Sequence, residues 1–269
     1  MEDVHEPELR AHYERGDERG RLDGRTGRLE FIRTTEIILR RLPPAPALVA
    51  DIGGGPGRYA LWLAGLGYRV QHRDLMPLHV RQLEEDADGI AGLHTAVGDA
   101  LDLDLDDASV DAVLLLGPLY HLRRRADRVR ALAEARRVVR PGGPVFAAAI
   151  SRWAPRLDGL AERLYEVYPH MPELLPDVER TGLLPPLGPG LFSGFCHRPR
   201  QLRGELQDAG LAVADLVGVE GPAFLLGDLV ERLDDPVARE MVLDTARAVE
   251  RVPELLGTGS HLLATGIRR

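Results

Sequence analysis

A single cysteine and a complete lack of lysine set this 269-residue sequence apart before any motif is read. One thiol, Cys196, cannot close an internal disulfide, so no covalent framework can replace a hydrophobic core. There is no run of about 18 apolar residues and no acceptable signal peptide at the start, which reads as a soluble cytoplasmic protein without a membrane span. All 34 basic residues are arginine, a usage that reads as GC-rich coding rather than as selection for phosphate. Against them stand 42 Asp and Glu, a formal net charge of −8. With that acidic balance and no basic stretch longer than Arg123-Arg124-Arg125, nucleic acid is not an expected partner. What is present is a hydrophobic fraction of 44%, enough for a proper core and too much for a disordered chain.

The first 24 residues are polar and read as a loose or docking arm. From Gly27 the pattern Leu29, Ile32, Arg33, Ile37, Ile38, Leu42 returns at helical spacing until Pro43-Pro44, predicting an N-terminal helix with a terminator. Leu48 to Ile52 then reads as a strand, Gly53 to Gly57 as a glycine turn, and Tyr59 to Leu66 as a helix. Strand and helix alternate again through Arg69 to Asp74, Leu78 to Glu85, Leu93 to Val97, Val110 to Leu116, Ala126 to Val139 and Val145 to Ile150. Such alternation predicts a doubly wound, Rossmann-like α/β fold on a mostly parallel sheet. Residues 151 to 200 interrupt it with eight prolines and one helical stretch near Leu157 to Tyr168, which reads as a lid or substrate insertion. The rhythm resumes with a helix over Pro199 to Ala209, a strand over Val213 to Val219, a helix over Gly227 to Arg251 and a strand over His261 to Ile267. The domain reading is a helical cap over 1–42, a cofactor-binding core over 43–150, the insertion over 151–200, and the rest of the same sheet over 201–269.

A glycine turn after the first strand of such a sheet marks a ligand site at the carboxyl ends of the strands. Gly53, Gly55 and Gly57 do not fit the dinucleotide fingerprint, because Arg58 falls where its last small residue should stand. A carboxylate at Asp51 would also repel a pyrophosphate but welcome a cation. S-adenosylmethionine carries a sulfonium and an ammonium and no phosphate, so its charges suit Asp51. Asp74 could accept both hydrogen bonds of a ribose diol, and Asp99 could accept from an adenine amino group with Leu75 and Leu101 flanking the base.

The run Val49-Ala50-Asp51-Ile52-Gly53-Gly54-Gly55-Pro56-Gly57, the strand end at Asp74, Gly98-Asp99-Ala100, Asp111-Ala112-Val113 to Gly117, and Leu132 to Gly143 stand in one order. Together they resemble the class I S-adenosylmethionine-dependent methyltransferases, a bacterial small-molecule branch, over residues 43 to 150. Pro56 inside the turn departs from the commoner pattern. The resemblance implies a seven-stranded sheet whose last strand is antiparallel. It implies S-adenosylmethionine as cofactor, S-adenosylhomocysteine as product and a small-molecule methyl acceptor. It carries cofactor contact onto Asp51, Gly53, Gly55, Gly57, Asp74, Leu75, Asp99, Ala100 and Leu116, and onto Tyr13, Glu30 and Arg33 of a cap that closes over the cofactor.

Each residue also has a plainer reading: Asp51 as a helix cap, Asp74 as a strand end, Arg33 as a solvated helix face. Tyr120 and His121 follow the fourth strand where the methyl group should face. They are the candidates for orienting or deprotonating the acceptor, or they only line the pocket. No metal-ligand spacing occurs, so no metal is expected. The function expected is methyl transfer to an oxygen or nitrogen, mainly by proximity and in-line orientation, an effect that can supply ~7 kcal/mol or more. A monomer or homodimer would suffice. The alternatives are a cofactor-binding regulatory module without transfer, and a nicotinamide-dependent oxidoreductase, against which Arg58 and Asp51 argue.

Overall fold

A computed structural model describes residues 10–14, 16–188 and 191–269, so part of the expected N-terminal arm, residues 1–9 and 15, lies outside the described residues. Residues 10–13 form a helical turn, and Asp17–Asp23 form a 3-10 helix that lies against α1 (Arg25–Leu39). Gly27 permits that approach, since a Cβ there would fall 2.2 Å from the Arg21 carbonyl oxygen. The arm is therefore docked, not loose, over Asp17–Asp23.

Strands β1 (Leu48–Ile52), β2 (Arg69–Asp74), β3 (Leu93–Val97), β4 (Ala112–Leu115), β5 (Pro144–Ile150), β6 (Leu211–Gly218) and β7 (His261–Arg268) form one sheet in the order β3-β2-β1-β4-β5-β7-β6. Pairings from β3 through β5 are parallel, and β7 runs antiparallel to both β5 and β6. Side chains alternate across it with the period of two that extended backbone imposes. Val49, Leu114 and Phe146 pack on one face with Leu63 of α2 (Arg58–Gly65), Leu83 of α3 (Pro77–Asp86) and Ile38 of α1. Ala50, Ile52, Val113, Leu115 and Val145 pack on the other with Leu132 and Leu206. Both faces are covered, which is why β4 and β5 read as unbroken apolar runs. Because β1 and β4 are neighbours whose crossovers leave in opposite directions, a crevice opens at their carboxyl ends.

After β4 come the short α4 (Pro118–His121) and α5 (Arg125–Val138). Between β5 and β6 the chain forms α6 (Ala154–Ala161), α7 (Leu164–Val167), α8 (Met171–Thr181), a two-stranded antiparallel pair, Leu183–Leu184 with Gly194–Phe195, and α9 (Pro199–Asp208). The single helical stretch expected near Leu157 to Tyr168 is thus two helices, α6 and α7, and α8 follows where no helix was expected. The segment is fastened from below: the buried Arg128 guanidinium lies 3.7 Å from the Phe195 ring centre and donates to Glu205, which also pairs with His197 Nε2 at 3.1 Å. The helix expected over Gly227 to Arg251 is also divided, into α10 (Leu229–Asp234) and α11 (Pro236–Val249). Pro236 cannot continue a helix, and Asp235 caps the new one by accepting from the Ala238 amide at 2.7 Å. Among the described residues no helix is long and apolar enough to cross a membrane.

Candidate active site

The turn after β1 owes its shape to backbone that only glycine adopts cheaply. Gly53 has φ +63°, and Gly57, at the head of α2, has φ +87° with the Leu83 side chain 2.4 Å from where a Cβ would stand. Behind the turn, His72 donates Nε2–H to the Gly55 carbonyl at 3.0 Å and pairs through Nδ1 with the Thr95 hydroxyl at 2.8 Å. Burial pushes its pKa down to about 4, so it holds the turn as a neutral ring.

Asp74 ties the same turn from β2. Its Oδ2 accepts from the Gly55 amide at 2.8 Å, and its Oδ1 accepts from the Met76 amide and from His79 Nδ1, both at 2.9 Å. Burial alone would raise its pKa, but the His79 and backbone donors hold it below the usual carboxylate range. A carboxylate offers about four acceptor positions, so one remains for a ligand rather than the two expected for a ribose diol.

These elements frame one cavity of about 1210 Å³, counting the solvent in its open mouth. Gly53, Gly55, Asp74, Leu75, Asp99 and Ala100 line it, as does Leu116 just after β4. Tyr13, Tyr120 and His121 also line it. Tyr13 Oη lies 2.6 Å from His121 Nε2. Burial raises the pKa of both phenols, so Tyr13 and Tyr120 stay protonated.

Four expectations need correction. Arg33 does not reach the cavity: it is wholly buried, with Nε on the Val219 carbonyl at 3.2 Å and its other nitrogens on Glu36 and Glu250 at 2.7 and 2.5 Å. Gly57 shapes the turn and does not line the cavity, and neither does Leu101, which packs on the core while Met76 takes its place at the wall. Asp51 lies beneath the turn, fully buried, with neither oxygen in a hydrogen bond. Gly54, which does line the cavity, covers it: a Cβ there would fall 2.5 Å from Asp51 Oδ2. Burial, aided by the charge of Asp74, pushes the Asp51 pKa up to about 7; the Ala60 amide offsets this only in part and does not reach hydrogen-bond geometry.

Arg21, His79 and His261 are wall residues that were not singled out from the sequence. Arg21 donates Nε to Glu18 at 2.7 Å and its two terminal nitrogens to Glu30 at 2.6 and 3.1 Å. His79 stands five residues after Asp74, on the first turn of α3, a spacing that could have marked it. His261 opens β7, and its distance in sequence from the glycine turn gave no signal. Glu220, outside the wall, accepts from His261 Nδ1 at 2.5 Å and from the His261 amide at 3.0 Å, and Glu30 lies 3.9 Å from the same nitrogen. Burial would lower the His261 pKa, but Glu30 and Glu220 outweigh it and raise it to about 9.

The residues present suit a ligand with a positive charge near Gly54, where a buried carboxylate has no partner, and a hydroxyl toward Asp74. Residues 50–147 match the family described as Methyltransferase domain. The ubiquinone/menaquinone biosynthesis C-methyltransferase UbiE of Acidiphilium cryptum is 38% identical over 122 residues, 44% of this chain and 47% of that protein, so the match spans about half of that relative's length. A ubiquinone biosynthesis O-methyltransferase of Xanthomonas axonopodis pv. citri is 29% identical over 68% of this chain and 70% of its own. A solved SAM-dependent methyltransferase from Methanosarcina mazei superposes with a TM-score of 0.56 at 20% identity, covering 86% of this chain and 94% of the other, which shows the fold. Motif order, sheet order and these matches agree over the part they cover: residues 50–147 are similar to the methyltransferase-domain family, and the chain shares its fold with the solved methyltransferase.

Proposed function

We propose that this chain transfers a methyl group from S-adenosylmethionine to an oxygen or nitrogen of a small molecule, acting in the cytoplasm as a monomer or homodimer. The observation that carries the reading is one cavity with two kinds of wall. It brings the glycine turn, Asp74 and Asp99 together with Tyr13, Tyr120, His121 and His261. When bound, the cofactor supplies an electrophilic methyl group on a sulfonium.

Gly53 to Gly55 and Asp74 would hold the cofactor, with Leu75, Ala100 and Leu116 along its apolar surface and Asp99 toward its base. Asp51 would act through its charge beneath Gly54. Tyr120 and His121 would orient the acceptor, so that ordering two reactants in one cavity does most of the work. The segment over 151–200 would close as a lid. Its Phe192 ring centre lies 5.3 Å from that of His121 and 6.1 Å from that of Tyr120, which supports a place on the acceptor side. The two quinone-pathway relatives methylate carbon in one case and oxygen in the other, as their names state.

Incubating the protein with methyl-labelled cofactor and a cell extract tests the reading. A labelled small molecule and micromolar binding of S-adenosylhomocysteine are expected. Tighter binding of a nicotinamide nucleotide than of S-adenosylhomocysteine, or cofactor binding with no labelled product from any extract, would overturn it.

A further inference from the structure

The polar group formed by Arg21, Glu30 and His261 in the cavity wall, with Glu220 behind His261, has been given no part in holding the cofactor. It draws on four distant parts of the chain: the 3-10 helix, α1, the start of β7, and the turn after β6. Two ion pairs balance within it, Arg21 on Glu30 and His261 on Glu220. Glu18, which also takes Arg21, is partly exposed on the cap. Asp158 faces the same group from α6, held by the Ser260 hydroxyl at 2.7 Å.

Every one of these carboxylates has a donor, and Arg21 has spent its Nε and both terminal nitrogens. His261 differs. Its Nδ1 is fixed on Glu220, so the ring lines the cavity with Nε2 as the nitrogen left to meet a ligand. A carboxylate on Nδ1 fixes the ring's orientation and stabilises its charged form, the arrangement that lets an imidazole hold or take a proton at Nε2. The same cavity is lined by Leu22, Leu122, Tyr13 and Tyr120, apolar or aromatic surface.

We propose that the His261–Glu220 pair is the acceptor anchor: Nε2–H of His261 binds an acidic oxygen, a carboxylate or phenolate, on a predominantly apolar methyl acceptor. This rests on the methyltransferase reading and narrows its substrate class. A charge-assisted hydrogen bond of this kind is about twice as strong as a neutral one, so the wall selects oxyanions over neutral isosteres. If the acceptor enters as a phenol, its O–H proton leaves to solvent, the oxygen keeps the electron pair, and Nε2–H holds the phenolate that results. The raised pKa of His261 keeps the ring charged at neutral pH and agrees with this role.

Calorimetry on the full chain saturated with S-adenosylhomocysteine tests it, with benzoate and its neutral isostere benzamide as probes. At pH 7 benzoate should bind at least tenfold more tightly than benzamide, and its affinity should fall as pH rises through about 9. His261→Gln should reduce the preference to within twofold while S-adenosylhomocysteine affinity stays within threefold. Glu220→Gln, which leaves the ring in place, should move the pH midpoint down. A preference that survives His261→Gln, or no benzoate binding to the loaded protein, overturns the proposal. So does a tenfold loss of S-adenosylhomocysteine affinity in that variant, which would put His261 on the cofactor. Benzoate binding that needs a divalent cation and vanishes with chelator would assign Glu30, Glu220 and His261 to a metal instead, the donor atoms lying within 4.8 Å of one another. If the wild type fails to bind S-adenosylhomocysteine at all, the methyltransferase reading has failed, and the same benzoate titration of the ligand-free chain still reads His261.

Discussion

Tyr13 and His121 meet through a 2.6 Å contact between the phenol oxygen and Nε2, which joins the helical turn at 10–13 to the short helix after β4. The histidine that sequence position nominates as a base therefore has its outer nitrogen occupied. It also packs edge-on against Phe192 and beside Tyr120, with ring centres 5.3 and 4.7 Å away. The arrangement suits a wall that shapes the acceptor site.

His121→Ala is accordingly expected to reduce turnover tenfold or less and to leave S-adenosylhomocysteine affinity within threefold. General-base catalysis would instead cost ~10²–10⁴ in rate and give a profile with one ionisation near pH ~6.5. Steady-state rates of the two proteins from pH 5.5 to 9 separate these cases. A thousandfold loss with intact cofactor affinity would make His121 the base.

Asp74 has two jobs, and substitutions can separate them. Asp74→Ala removes the partner of the Gly55 and Met76 amides and of His79, so it should weaken S-adenosylhomocysteine binding by ~1.5–3 kcal/mol and also destabilise the fold by ~1–3 kcal/mol. Asp74→Asn keeps one acceptor oxygen and should recover part of the stability but little of the affinity. Calorimetry beside urea unfolding measures both. Unchanged affinity in a folded Asp74→Ala protein would remove this residue from the cofactor site.

The sheet was legible because its evidence is local. The apolar run Val110 to Leu116, the glycine turn and the helix after it each declare themselves within ten residues, and β1 to β5 fall where that patterning puts them. The last long helix failed for an equally local reason: apolar periodicity ran through Pro236, whose ring favours the extended backbone seen at Asp235, where α10 ends. The site was legible where its residues hang on that framework, as with Asp74 and Gly55. Arg33 could not be placed, because whether an arginine on a helix is solvated, catalytic or buried depends on Glu250, more than two hundred positions away. Arg21 and His261 stayed hidden for the same reason. Only the folded chain brings the 3-10 helix, α1 and β7 together.

Arg33 then makes a useful contrast. Its guanidinium is wholly buried and faces Glu36 and Glu250, while Arg40 supplies a second partner to both carboxylates. Removing one member of a buried ion pair leaves an uncompensated charge, which costs ~3–5 kcal/mol in simple pairs; with Arg40 still present, about 2–3 kcal/mol is expected for Arg33→Ala. Cofactor affinity of the folded fraction should stay within threefold. Chemical unfolding gives the first number and calorimetry the second, and a selective loss of affinity without loss of stability would restore Arg33 to the site.

Asp51 supplies the clearest dependence on pH. Its carboxyl is raised in the folded chain from 3.8 to about 7, so the folded state prefers the protonated form. The contribution is fully present below the unfolded pKa and is lost as pH climbs through about 7, on the order of 4 kcal/mol between pH 4 and 8. Asp51→Asn removes the ionisation and keeps the shape. It should match the wild type near pH 4 and be more stable by about 4 kcal/mol at pH 8, as read from paired urea titrations at each pH. Function should move the other way. A cation held near Gly54 favours the ionised carboxylate, so S-adenosylmethionine should bind the wild type more tightly as pH rises from 5.5 to 7.5, releasing a proton. Calorimetry in two buffers of different ionisation enthalpy counts that proton. In Asp51→Asn the release should disappear and the affinity fall at least tenfold at pH 7.5. A variant equally stable relative to wild type at pH 4 and pH 8 would mean that Asp51 is not the group that titrates, and unchanged affinity would mean that its charge does not reach the cofactor.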